Sequence, residues 1–298
     1  MRLIQFKTRK EWLTARESGV GGSDVPAILG LSKWASEFSL WSRKVGIGEE
    51  QVESDAMRWG HILEPHVIAE LERETGVPIQ HIDNAIVRHP DHPELFCSPD
   101  GLTVEDRPRL VEVKTTNAFK SSEWDEGVPE LYWHQVQHSL MCCRREKALV
   151  AVLIGGQVFR WCEVERDPDW EGENTPALLE FVRRVVEEDP PSVTGHEADS
   201  DTLLTMFPEE NPGAIVALSA DFLDVHHDLL RVNDEIKALV KKKNSLRNEI
   251  KDAIGNAHYG QLPGGLGLYR WQAQHRKAHM TKASDSRVLT YVKNVKET

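Results

Sequence analysis

The sequence contains no uninterrupted run of roughly 18 apolar residues, the length a helix needs to cross a bilayer, which excludes a helical membrane span. Its opening residues, MRLIQFKTRKEW, lack the apolar stretch of a secretory leader, so a cytoplasmic setting is expected. Cysteine is scarce, with four in 298 residues. That is too few for a disulfide-stapled scaffold and fits reduced thiols. Net positive charge is lacking too: the formal charge of −12 argues against a protein that binds polyanions over its whole surface. The imbalance is local, however. Glu163 to Glu210 holds fifteen acids against three arginines, net −12, whereas Arg231 to Thr298 holds fourteen bases against six acids, net +8. An acidic segment beside a basic tail fits contact with nucleic acid through part of the surface only. The 40% apolar content is ample for a core, and the length allows one large or two modest domains.

The informative stretch is Cys97 to Thr116, CSPDGLTVEDRPRLVEVKTT. A turn, Ser98-Pro99-Asp100-Gly101, leads into a short apolar run, and Glu105 to Pro108 makes a second turn. Leu110 to Lys114 then alternates strictly, which predicts a strand with Leu110, Glu112 and Lys114 on one face and Val111 and Val113 on the other. Asp100 arrives from the neighbouring strand of a hairpin. Two carboxylates and a lysine at strand ends suit metal-assisted hydrolysis. The carboxylates would hold a hard divalent cation such as Mg²⁺ through oxygen. Such a cation polarises a phosphoryl oxygen and lowers the pKa of a bound water. Lysine would orient or deprotonate that water and offset charge in the transition state. A solvated hairpin with a cross-strand ion pair would read the same from Glu112 and Lys114 alone. The Ser-Pro-Asp-Gly turn at this separation moves the reading towards the metal site.

Periodicity places elements around this hairpin. Thr8 is an N-cap for a helix ending near Arg16, Ser23 caps a short helix to Leu29, and Ser36 caps a helix carrying Phe38, Leu40, Trp41 and Val45. Ser54 to Gly76 reads as a long helix whose apolar face is Met57, Ile62, Leu63, Val67, Ile68 and Leu71. Glu64 falls inside that apolar set, where a carboxylate costs free energy unless it is paired or metal-bound; a helix-surface glutamate followed by Pro65 would read the same from the residues alone. Strands are expected at 79–88, 95–104, 109–115, 147–154 and 157–164, with a helix at 130–143 that sets Tyr132, Gln135 and His138 near one another. Pro168 to Glu188 is a further helix, and the turn-rich, acidic chain from there to Pro212 reads as a linker or loop.

The tail differs in kind. Phe222, Val225, Leu229, Val232, Ile236, Leu239, Lys243, Leu246, Ile250 and Ala253 recur at alternating steps of three and four, a heptad seam with one lysine interruption. It suits one long helix or a hairpin broken near Asn244-Ser245. A final strand, Leu268 to Gln274, bears Tyr269, Arg270 and Trp271 and runs into His275, Arg276 and Lys277, a basic aromatic patch able to touch a DNA backbone. The expected organisation is a catalytic domain over 1–212 and a helical, basic extension with a short β hairpin over 213–298.

WLTAR before GGSD, then RWGHILEP, CSPDGL, LVEVK and YWHQVQHSL occur in that order between Glu11 and Val164. Taken together they resemble the PD-(D/E)XK nucleases and, within them, the phage alkaline exonuclease family, which includes lambda exonuclease and the YqaJ-type viral recombinases. The resemblance implies an α/β restriction-endonuclease-like core, a mixed central sheet flanked by helices in the order αβββαβ. It implies a 5′-to-3′ exonuclease on double-stranded DNA ends, using two Mg²⁺ ions (or Mn²⁺), in phage-type recombination within a bacterial host. Family members form ring-shaped oligomers, trimers or tetramers, and pass single strands to an annealing protein. By the same resemblance Asp100 and Glu112 hold metal with the Val113 carbonyl as third ligand, and Glu64 completes the second-metal or water shell. Lys114 and Gln135 manage the attacking water, Ser98 supports Asp100 or a metal-bound water, and Arg16 and Ser23 grip a terminal 5′ phosphate. Gln137 is expected to be structural. His134 and His138 are conceivable ligands, but a hard oxygen site has no need of imidazole. Some related nucleases carry a four-cysteine iron–sulfur cluster, for which the adjacent Cys142-Cys143 pair is wrongly spaced. The rivals are a structure-specific or nicking endonuclease on the same fold, and a catalytically silent interaction protein.

Overall fold

A computed structural model describes residues 2–48 and 54–274. They fall into two compact units, one within Met1–Glu209 and one within Glu210–Thr298. In the first unit β1 (Leu3–Gln5) precedes α1 (Arg9–Glu17), where Thr8 and Glu11 close a reciprocal capping box. Next come α2 (Val25–Ile28), α3 (Glu37–Lys44) and α4 (Asp55–Thr75). The Ser54 hydroxyl accepts the Met57 N–H at the start of α4, and Gly76, at φ 69°, closes its end in the left-handed conformation that glycine takes without cost. Only Val67, Ile68 and Leu71 of α4 are buried; Met57 and Ile62, expected on the apolar face, are exposed.

The strands follow as β2 (Ile79–His81), β3 (Ala85–Arg88), β4 (Phe96–Cys97), β5 (Gly101–Thr103) and β6 (Leu110–Thr116). Two strands expected to be continuous are therefore broken. Run 79–88 parts at residues 82–84, where Asn84 has φ 47°, and run 95–104 parts at residues 98–100. Pro99 supplies no N–H to a ladder and fixes its own φ, so pairing stops there. Each break moves the chain from one sheet to the other. β1, β3 and β4 form a small antiparallel sheet, while the main sheet runs β2-β5-β6 and continues into β7 (Lys147–Ile154) and β8 (Val158–Glu165). Within it β6 and β7 are parallel, with Glu112 opposite Val150, and the other pairs are antiparallel.

β6 is central and covered on both faces. Val111 and Val113, with Leu149 and Ala151 of β7, pack under Val67, Ile68 and Leu71 of α4. Leu110, Ala148, Val150 and Val152 face the larger core, to which α5 (Glu130–Cys143) contributes Val136 and Leu140. The alternation in LVEVK therefore sorts side chains between two cores, so Glu112, 3% exposed, lies buried under α5.

α6 (Pro168–Val186) packs Trp170, Leu178 and Phe181 into the larger core. The segment expected as a linker contains a further helix, α7 (Glu197–Met206). Its Asp199 is 1% exposed, accepts from Thr194 N (2.5 Å) and Thr194 Oγ1 (2.7 Å), and receives the hydroxyl of Ser36, the N-cap of α3. A buried carboxylate satisfied by three donors holds this acidic stretch against the start of α3, within the first unit.

In the second unit the seam forms one unbroken helix, α8 (Phe222–Ile254), ended at Gly255, followed by the hairpin of β9 (Tyr259–Gln261) and β10 (Leu268–Arg270). The last strand is shorter than the expected 268–274, and His275, Arg276 and Lys277 lie outside the described residues. Among the described residues no helix is long and apolar enough to cross a membrane.

Candidate active site

Two residues of β6 and one of α5 make the centre of the site. Lys114 Nζ donates to Glu112 Oε1 at 2.6 Å and to Gln135 Oε1 at 3.2 Å, and Gln135 Nε2 donates to the same Glu112 oxygen at 2.6 Å. Strand periodicity sets Glu112 and Lys114 on one face, and α5 crosses that face with Gln135 directed at it. Tyr132, one helical turn before Gln135, lies 5.2 Å beneath the ammonium in a cation–π contact. A lysine with an aromatic ring beneath it and a carboxylate at its tip is held in one position.

Asp100 enters from the break between β4 and β5. Its Oδ2 accepts the Val113 N–H at 2.7 Å. A strand residue's N–H and C=O leave on the same side of the chain, so the Val113 carbonyl is directed to the Asp100 side, beyond the last β5 partner at Val111. Burial pushes the Asp100 carboxyl well above the usual carboxylate range. Glu112 and Glu64 push it the same way, and Lys114 and the Val113 N–H only partly offset them. Burial also works against the Lys114 ammonium, but Glu112 and Asp100 outweigh it and hold its pKa above the ordinary lysine value.

Glu64 stands on α4 at the edge of this field, and its Oε1 pairs with His81 Nε2 at 3.0 Å. His81 also approaches Asp83 Oδ1 at 3.6 Å, and among the described residues Glu64, His81 and Asp83 form the one group of three possible ligands with donor atoms all within 4.8 Å. Asp100, Glu112 and Glu64 do not close into such a group. His81, at the end of β2, gave no signal in the sequence, because only the break after β2 brings it beside α4.

The Gly19–Gly22 loop forms the wall opposite. A Cβ on Gly22 would lie 3.1 Å from Gln135 Cγ and from Ser139 Oγ, so glycine lets the loop rest directly on α5. Lys44 ties the loop down, donating to Asp24 Oδ2 (2.8 Å) and the Gly19 carbonyl (2.6 Å), while Asp24 accepts Gly21 N–H at 3.0 Å. Burial opposes the charge on Asp24, yet Lys44, with help from Arg16 and the Gly21 N–H, holds its carboxyl below the usual range. Arg16 stacks on the Trp12 ring at 4.4 Å and donates to Ser23 Oγ at 2.8 Å. Burial lowers the Arg16 pKa, while Asp24, Glu112 and Asp100 pull the other way.

Several expectations change in detail. Ser23 does not cap α2; Asp24 occupies the N-cap position without a capping side-chain bond, and α2 is a four-residue helix. The Ser98 hydroxyl accepts the Trp12 indole N–H at 3.2 Å, which fixes it to α1 in place of a bond to Asp100. His134 accepts the Trp170 indole N–H at 2.8 Å, and buried His138 pairs through Nε2 with the Phe96 carbonyl at 2.9 Å; both bonds belong to the scaffold. Gln137 joins the Glu165 carbonyl to the Asp167 N–H, the structural role expected of it.

Residues 11–146 match the family described as the YqaJ-like viral recombinase domain. The chain is 35% identical over 258 residues to the uncharacterized protein YqaJ of Bacillus subtilis (strain 168), covering 85% of this chain and 80% of that protein. The chain belongs to the YqaJ-like viral recombinase family. Protein D345L of African swine fever virus (strain Badajoz 1971 Vero-adapted) is 31% identical over 111 residues, 35% of this chain and 31% of the viral protein. The alkaline exonuclease LHK-Exo of Laribacter hongkongensis superposes on 60% of this chain and 93% of its own, with 25% identity and a TM-score of 0.51. A second crystal structure of LHK-Exo is a complex with dAMP, with the same coverage and score. The core of this YqaJ-like protein thus has the PD-(D/E)XK fold of the alkaline exonucleases, and its family implies a nuclease.

Proposed function

We propose that this YqaJ-like protein is a Mg²⁺-dependent 5′-to-3′ exonuclease that hydrolyses phosphodiester bonds of double-stranded DNA. The observation that carries the reading is the junction of Asp100 with the bonded set Glu112, Lys114 and Gln135 at the end of β6. Such a set fits a hard divalent cation. Its donors are carboxylate and carbonyl oxygens, and the Asp100 carboxyl is held above its ordinary range by burial and by two neighbouring carboxylates, a cost that a cation relieves. Asp100, Glu112 and the Val113 carbonyl would hold the ion, with Glu64 and His81 beside them. Bound there, the ion would supply Lewis-acid activation of the phosphodiester and of the attacking water.

The chain's own groups do the rest. An ammonium has three donors, and Lys114 spends two on Glu112 and Gln135. The third is available to the attacking water or to a phosphoryl oxygen that gains charge. Because Glu112 and Asp100 favour the protonated lysine, its part is to orient and to stabilise charge rather than to abstract a proton. Gln135 fixes both partners, which limits the positions they sample. Arg16, braced by Trp12 and Ser23, presents a guanidinium suited to the extra charge of a terminal 5′ phosphate. The dAMP complex of LHK-Exo adds support, since a deoxynucleoside monophosphate is what removal of one nucleotide at a time releases.

The test compares linear with closed circular duplex, with Mg²⁺ or EDTA, following product length over time. Mononucleotides from linear DNA alone, in Mg²⁺ alone, agree with the proposal. Cleavage of the closed circle would make the protein an endonuclease.

A further inference from the structure

The second unit holds a surface that the nuclease chemistry does not use. α8 is 33 residues long, about 50 Å, and none of its residues is buried. Its apolar seam stands open to water: Leu229, Ile236, Leu239 and Leu246 are 49%, 53%, 64% and 51% exposed. A seam repeating every three and four residues is the repeat by which helices pack on helices, and most helical stability in proteins comes from such packing.

The charges along α8 indicate what covers the seam. Its first part, 222–236, carries four acids and one arginine, net −3; its second part, 237–254, carries six bases and two acids, net +4. Three of the four acids of the first part are drawn into ion pairs within the helix: Asp228 and Glu235 with Arg231 (3.0 and 3.2 Å), and Asp234 with Lys237 (2.9 Å). Lys241, Lys242, Lys243 and Arg247 have no acidic partner among the described residues. A parallel pair of such helices would set acid on acid, base on base and Lys243 on its own copy inside the seam. Reversing one helix sets the acidic part of each copy on the basic part of the other.

We propose that α8 pairs antiparallel with α8 of a second copy of this chain. Of the registers the heptad allows, the one centred near residue 238 overlaps the two helices over almost their whole length. Ile236 meets the partner's Leu239, Leu229 meets the partner's Leu246, and Glu235 flanks the partner's Lys242. Every contact occurs twice about a two-fold axis, so the same face serves both copies. Lys243, which would repel its copy in a parallel pair, here faces the partner's Val232 and lies towards the acidic part of the other helix. One lysine in an apolar seam acts as a device that selects orientation and register.

The experiment uses the full chain and reads assembly, so it is independent of any nuclease activity. Sedimentation velocity over a concentration series should show an association step that Ile236→Asp with Leu239→Asp weakens at least tenfold. Glu235→Lys alone and Lys242→Glu alone should each weaken the step, while the two together restore it, because both pairs re-form with their signs exchanged. In a Cys162→Ser background, a short bis-maleimide should join Leu229→Cys chains to Leu246→Cys chains when the two are mixed, and should not join Leu229→Cys chains to one another, because the two copies of residue 229 lie about 25 Å apart along the axis. Far-ultraviolet circular dichroism checks that each variant keeps its helix. Unchanged sedimentation of the double aspartate variant, self-coupling of Leu229→Cys chains, or a double charge swap that fails to restore association would overturn the pairing. Loss of DNA binding with assembly unaltered would make α8 a nucleic-acid surface.

Discussion

Asp100→Asn should raise the stability of the metal-free protein while abolishing its response to Mg²⁺. In the native fold Asp100 is buried beside Glu112 and Glu64, and its carboxyl is pushed well above the usual range. At neutral pH its ionised form is therefore a cost of folding. Asparagine is nearly isosteric. Its Oδ1 can keep the Val113 N–H bond, and its amide can donate to a neighbouring carboxylate. Replacing a strained buried charge by a neutral group of the same shape typically gains about 1–3 kcal/mol. For a unit of this size each kcal/mol moves Tm by about 2–4 °C, so a rise of about 2–12 °C is expected in EDTA. The sign with pH follows from the raised carboxyl. As pH falls through its native pKa, native wild type takes up a proton that the unfolded chain accepts only near about 3.9. Wild type thus gains stability on acidification through that window, the asparagine variant gains none, and the difference between them narrows. Saturating Mg²⁺ should then raise the wild-type Tm, by about 2.7 kcal/mol of stability at a hundredfold excess over Kd, and leave the variant almost unmoved. Thermal unfolding in EDTA and in Mg²⁺, at neutral pH and near pH 5, measures all four quantities. A variant less stable than wild type in EDTA, or a difference that ignores pH, would show that Asp100 is not under electrostatic strain.

Lys114→Met should lower kcat at least a hundredfold, about 2.7 kcal/mol, with duplex binding retained in a filter or anisotropy assay; a proportionate loss of binding would make Lys114 a substrate anchor. Arg16→Ala should remove the preference for 5′-phosphorylated over 5′-hydroxyl ends, a loss of about 1.5–3 kcal/mol on the phosphorylated substrate; equal fractional losses on both would assign Arg16 to general binding or folding. Gly22→Ala should cost about 1–3 kcal/mol of stability by pressing a methyl group on Gln135 and Ser139, read from the urea midpoint, and should lower kcat more than it raises KM because Gln135 shifts. Asp199→Ala should cost about 2–4 kcal/mol by leaving the Ser36 and Thr194 donors unpaired in the core; an unchanged urea midpoint would return the segment around α7 to the status of a linker.

The residues themselves determined the parts of this protein that depend on local periodicity and on chain proximity. Alternation in LVEVK placed Glu112 and Lys114 on one face of β6, and the turns on either side brought Asp100 to that strand. Helical spacing separated Gln135 from Gln137, so that one reaches Lys114 and the other bonds to Glu165 and Asp167. The heptad of the tail became a single helix. Tertiary structure decided whatever depends on which surface lies opposite. Apolar runs 79–88 and 95–104 carry no mark of two sheets, and only packing shows that the chain leaves one for the other at Asn84 and Pro99. The same crossing puts His81 against Glu64 and hands Ser98 to Trp12, pairings between residues 17 and 86 positions apart. Asp199 reads as one more acid in an acidic stretch until Ser36, 163 residues earlier, is found bonded to it. Periodicity says which way a side chain points from its own element; what it meets is set by long-range contacts whose loop-closure cost is repaid only when the whole core forms.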